Sequence, residues 1–102
     1  MMNKPAIYEK MLKSFFDRYT KVVSTLRAHL AAGQRDDARR EAHSLKGVAA
    51  SLGANDLARA ALAVERAIAG GQVEIAAEIS AMSQQLEFVL DGLRQHFGWH
   101  ES

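Results

Sequence analysis

Cysteine is absent from the chain, which excludes disulfides and thiolate metal sites and fits a reducing compartment. Proline occurs once, at Pro5. No later helix is therefore barred by a fixed φ or a missing backbone N–H. No apolar run approaches the roughly 20 residues of a membrane span, and no signal-peptide pattern opens the sequence. Membrane insertion is not expected, and a cytoplasmic location is. Neither sign of charge dominates: 13 basic and 12 acidic residues, well mixed, leave a formal charge of +1. Nucleic-acid binding calls for basic residues clustered on one face, and no such cluster is present. A Gly-rich phosphate loop and a Walker-type motif are also missing, so ATP binding is not expected.

What is present is helical periodicity. A chain of 102 residues is one domain, and 48% hydrophobic content supports a single core. Met11, Phe15, Tyr19, Val22, Leu26 and Leu30 recur at steps of three and four, the spacing of one helix face. Ile7, Leu12, Phe16 and Val23 widen that stripe. It predicts either one helix over about 5–32, capped by Asn3, or two joined near Asp17–Thr20. Gly33 suits the end of this segment. A second helix spans about 36–52, with Asp36 and Asp37 at its positive end. Gly53 then ends it, and Asn55 or Asp56 caps a third helix over about 55–69. Leu57, Ala61, Val64 and Ile68 share one face of that third helix, flanked by alanines that allow close packing. After Gly70-Gly71, a fourth helix covers about 72–97, with Ile75, Ile79, Met82, Leu86, Val89 or Leu90, Leu93 and Phe97 inward. Gly98 ends it. Short connections imply antiparallel neighbours. The expected fold is all-α, an antiparallel up-and-down four-helix bundle with a short extra N-terminal helix if the first stripe is broken.

The second helix has two sides of opposite character. Ala38, Ala42, Leu45, Ala49 and Leu52 form its apolar face. At about 100° per residue, His43 lies roughly 140° from the middle of that face. Lys46, Gly47 and Ala50 share the histidine's arc at i+3, i+4 and i+7, and Arg39 lies one turn before it. An imidazole thus faces water, beside a cation and two nearly bare positions. Gly47 inside a helix costs roughly 0.8–1.0 kcal/mol relative to alanine, so something other than helix stability keeps it there.

His43-Ser44-Leu45-Lys46-Gly47, followed by Ala50, Leu52, Gly53, Ala54, Leu57 and Val64-Glu65, resembles the histidine phosphotransfer (HPt) domain family, which relays phosphoryl groups in multistep two-component signalling. The resemblance implies that His43 is phosphorylated at Nε2, taking the group from an aspartyl phosphate on one receiver domain and passing it to another. It implies that Lys46 stabilises phosphoryl charge and that Glu65, at the family's acidic or amide position, orients His43 through Nδ1. Gly47 and Ala50 would leave room for the partner's active site. Ser44 and Arg39 would lie on the partner-binding face, although Arg39 also reads as part of a solvated surface. Phe15 and Phe16 would help form that docking surface if the family's short first helix is present; otherwise they are core. The resemblance further implies a monomeric carrier that is not itself an enzyme. It would have no cofactor, Mg²⁺ being held by the receiver partner.

Two other phosphoacceptor classes remain open. The helix pair of a histidine kinase has an acidic residue after the histidine and a proline five positions on; here Ser44 and Val48 stand there. The phosphoacceptor domain of a chemotaxis-type kinase shares much of the H-x-x-K-G pattern. A helical interaction module without chemistry is the remaining alternative. His29 reads as a surface residue. His96 and His100 are four apart, but Gly98 separates them and only Glu101 offers a third ligand, so no metal site is expected. Trp99 either packs on the bundle or lies in the tail.

Overall fold

In a computed structural model of the chain, which describes the backbone of residues 4–99 and the side chains of residues 9–99, the periodic stripes become five α-helices. They are α1 (Lys4–Tyr19), α2 (Val22–Ala31), α3 (Arg35–Ser51), α4 (Asn55–Ala69) and α5 (Ala76–Phe97). No strand occurs among the described residues. The expected cap at Asn3 and the side chain of Ile7 lie outside them.

The first stripe is broken, at Thr20-Lys21. The Thr20 hydroxyl and its backbone N–H both turn to the Phe16 carbonyl. A threonine side chain that bonds the i−4 carbonyl often accompanies a bend in a helix. The stripe then continues in α2 with Val22 and Leu26, both buried. Met11, expected on the inner face of α1, is instead 48% exposed.

The turn after α3 shows why this chain doubles back where it does. Gly53 takes a left-handed backbone, φ 80°, which costs glycine no Cβ clash. Its N–H bonds the Ala50 carbonyl at 3.1 Å, and the Ala54 N–H bonds the Ala49 carbonyl at 2.8 Å. These two bonds satisfy carbonyls that the end of a helix otherwise leaves unpaired. The same pair of bonds recurs after α2 and α4. Closing the turn this way returns the chain to helix immediately, so Ala54 sits at the cap and Asn55 is already helical. The expected side-chain cap from Asn55 or Asp56 does not form; Asp56 pairs with Arg59 instead. Similarly, α5 starts at Ala76 rather than near residue 72. The Gln72 side chain donates to the Glu74 carbonyl at 2.6 Å and holds this segment in a turn.

α3 packs on α4, α4 on α5 and α2 on α3, while α1 lies against α2 and α5. The most extensive contact, between α3 and α4, uses small side chains. Ala38, Ala42 and Ala49 of α3 and Ala61 of α4 are fully buried, along with Leu45 and Val64. Each fully buried leucine or valine contributes roughly 1.5–3 kcal/mol relative to exposure. Arg35, at the start of α3, adds a polar tie. Its guanidinium donates to the carbonyls of Ile68, in the last turn of α4, and Gln72, just beyond it, both at 3.0 Å. At the other end of the chain, Trp99 folds back over the bundle. It stacks on Phe97 at 4.3 Å and meets Phe16 at 5.5 Å between ring centroids.

Candidate functional site

His43 lies ten positions before Gly53, and Glu65 lies twelve after it. At 1.5 Å of rise per residue, two helices leaving a tight turn bring such positions to nearly the same height. Val64 is buried on the α4 face that meets α3, so its neighbour Glu65 emerges at the edge of that contact. The Nδ1–H of His43 donates to Oε2 of Glu65 at 2.9 Å. The His43 side chain is 59% exposed and that of Glu65 16%. The other ring nitrogen, Nε2, lies on the side of the ring away from this bond.

The second oxygen of Glu65 is also used. Lys46 Nζ lies 3.4 Å from Oε1, and Oε1 itself is buried. At that separation the contact is an ion pair rather than a close hydrogen bond. Burial alone would raise the Glu65 carboxyl. The hydrogen bond from His43 and the nearby Lys46 ammonium outweigh it, and hold the group below its ordinary value. Glu65 is therefore a carboxylate at neutral pH, as an acceptor of Nδ1–H requires.

Gly47 and Ala50 are exposed beside His43. A Cβ added at Gly47 would meet nothing within 4 Å, so packing within the chain does not require glycine there. The Gly47 carbonyl accepts a bond from Ser51 Oγ at 3.1 Å. Arg39 and Ser44 are half-buried on α3. Arg40 pairs with Asp37 at 2.9 Å.

Phe15 and Phe16 do not form a docking surface. They are 2% and 1% exposed and belong to the core. Phe15 meets Tyr19 at a tilt, 5.2 Å between ring centroids, and both line an open groove with Met11, Ser14, Arg18 and Val48. Phe16 is covered by Trp99, with Lys13 and Arg94 over its ring. Their place on α1 turns them inward, which leaves Met11 as the accessible apolar side chain on that side. The contacts missed by sequence reasoning are the Arg35 tie, the Ser51 bond to Gly47 and the Lys46–Glu65 pair. The first two carry no motif. For the third, the motif marks both residues separately, but one-dimensional spacing does not join them. Among the described residues, no group of three His, Cys, Asp or Glu side chains is placed to hold a metal. His100 and Glu101 lie outside the described residues. None of the described helices is long and apolar enough to cross a membrane.

The fold and site define a helical domain presenting an oriented, solvent-facing histidine, His43, held by a carboxylate on the next helix. The family model of the Hpt domain matches residues 10–96, and the chain belongs to that family. Hpt domains carry out phosphotransfer in two-component signalling and have no ATP site of their own. No curated protein and no solved structure gives a match to the chain.

Proposed function

We propose that the domain shuttles a phosphoryl group between receiver domains, with Nε2 of His43 as the carrier atom. The observation that supports this most directly is the 2.9 Å bond from His43 Nδ1 to Glu65 on an otherwise exposed ring. A carboxylate at Nδ1 favours the tautomer whose Nε2 lone pair is free, and it stabilises the cation formed on attack. The Nε2 lone pair attacks phosphorus in line as the acyl P–O bond breaks, and the electron pair of that bond leaves with the donor aspartate. Nδ1 keeps its proton throughout. Transfer onward is the same step reversed towards a second aspartate. The transition state is loose, so positioning and charge stabilisation do most of the work.

Lys46 supplies charge for the phosphoryl oxygens, while Gly47 and Ala50 leave room for the partner's loops. Arg39 and Ser44 lie on the face a receiver covers, and Arg39 adds attraction to an acidic partner surface. The receiver brings the Mg²⁺ and catalytic carboxylates. The helix contacts and short turns support an antiparallel up-and-down arrangement of α2–α5 with α1 laid across it. We take the domain as a monomeric carrier working in the cytoplasm. The test is incubation of the chain, and of His43→Gln, with a ³²P-labelled receiver domain. Label on the first and none on the second supports the proposal; equal labelling of both contradicts it.

A further inference from the structure

Glu65 has one carboxylate and two cationic or proton-bearing neighbours. Oε2 accepts the His43 Nδ1–H at 2.9 Å. Oε1, which is buried, has the Lys46 ammonium 3.4 Å away. The same group therefore holds both the ring that carries the phosphoryl group and the cation meant to neutralise it. On the phosphoryl-carrier reading above, we infer that Glu65 and the phosphoryl group compete for Lys46, and that this competition sets how readily the group leaves His43.

Before transfer, the ion-pair partner of Lys46 among the described residues is Glu65. When the Nε2–P bond forms and the acyl P–O bond breaks, the site gains a phosphoryl group with close to two negative charges, and the ring keeps its Nδ1 proton. Lys46 is a point charge on a flexible stem with three donors. Its side chain is 30% exposed, so part of it reaches solvent on the face that carries His43. Attraction scales with charge and inverse distance, so a phosphoryl group on the neighbouring arc draws the ammonium away from Oε1. Moving it uncovers a buried carboxylate oxygen, which is unfavourable. The cost of that move opposes the gain at the phosphoryl group. Phospho-His43 is then held less tightly than a free lysine would hold it, which suits a group that must be passed on. Glu65 is in this sense a positioning residue acting through Lys46, apart from its own bond to the ring.

The consequence is a coupling with a definite sign. Glu65→Gln keeps an acceptor for Nδ1–H but has no charge to retain Lys46. In the presence of Lys46, the substitution loses some support of the ring cation yet releases the ammonium to the phosphoryl group. With Lys46→Met, only the loss remains. The experiment phosphorylates the full chain with phosphoramidate, whose phosphoryl group passes to the imidazole as ammonia leaves. The equilibrium ratio of phosphorylated to free His43 is read by ³¹P NMR in wild type, Glu65→Gln, Lys46→Met and the double variant. Glu65→Gln is expected to leave that ratio about threefold or more higher, relative to its parent, when Lys46 is present than in the Lys46→Met background. The ¹⁵N signal of Lys46 Nζ in the wild-type protein is expected to shift on phosphorylation, a readout that needs no variant to fold. Equal effects in both backgrounds, or an unmoved Lys46 signal, overturn the competition while leaving the carrier reading intact. Failure of folded wild-type protein to take phosphate on His43 overturns both.

Discussion

Nδ1 of His43 on α3 and Oε2 of Glu65 on α4, 22 residues apart in the chain, are joined by a 2.9 Å hydrogen bond. The bond fixes which ring nitrogen is protonated and turns the other outward. The first prediction follows from it. Glu65→Ala is expected to slow phosphoryl transfer onto His43 roughly tenfold or more, because partners that orient an imidazole carry effects of that size. The rate is measured by rapid quench with a phosphorylated receiver domain. An unchanged rate removes Glu65 from the mechanism.

The same residue predicts an acid response. The carboxyl of Glu65 is lowered, against the opposing effect of its burial, by His43 and Lys46. A depressed carboxyl contributes stability that is present above its unfolded value and lost as pH falls through its folded one. The stability advantage of wild type over Glu65→Gln is therefore expected to shrink as pH drops below the ordinary value of 4.5. Urea titrations of both proteins across that range measure it.

Gly47 separates folding from function. Since a methyl group there meets nothing within 4 Å, Gly47→Ala is expected to stabilise the domain by about 0.5–1 kcal/mol. Gly47→Leu is expected to fold but to lose transfer from a receiver, because its side chain projects into the space the partner must enter. Chemical denaturation and transfer assays on the two variants check the pair of outcomes.

Arg35 predicts a purely structural effect. Arg35→Met removes two charge-assisted bonds to the carbonyls of Ile68 and Gln72 and is expected to cost about 1–3 kcal/mol. Thermal and urea denaturation of the variant measure that loss. Phosphorylation of His43 is expected to persist at temperatures where the variant is folded.

Much of this architecture is legible in the sequence because the helices are amphipathic. The spacing of Ala38, Ala42, Leu45 and Ala49 marks a face that is indeed fully buried, and Gly53 and Gly98 end their helices with positive φ. Periodicity does not decide between nearby registers, however. The break falls where the Thr20 hydroxyl turns to the Phe16 carbonyl, and the turn before α5 carries the Gln72 side-chain bond to Glu74. Phe15 and Phe16 illustrate another limit. Both fit an apolar stripe, but whether such residues end up inside or on a docking face depends on what packs over them, here Tyr19 and the distant Trp99. At the site, the motif names His43, Lys46 and Glu65 individually. That one carboxylate binds both of the others is a fact of the α3–α4 contact, which no single helix encodes.

The most direct test of the account is to locate the phosphorus atom. After phosphorylation by a receiver domain, ¹H–¹⁵N–³¹P NMR of the chain is expected to show phosphorus bonded to Nε2 of His43, with a proton retained on Nδ1. Phosphorus on Nδ1, or on any other residue, would contradict it.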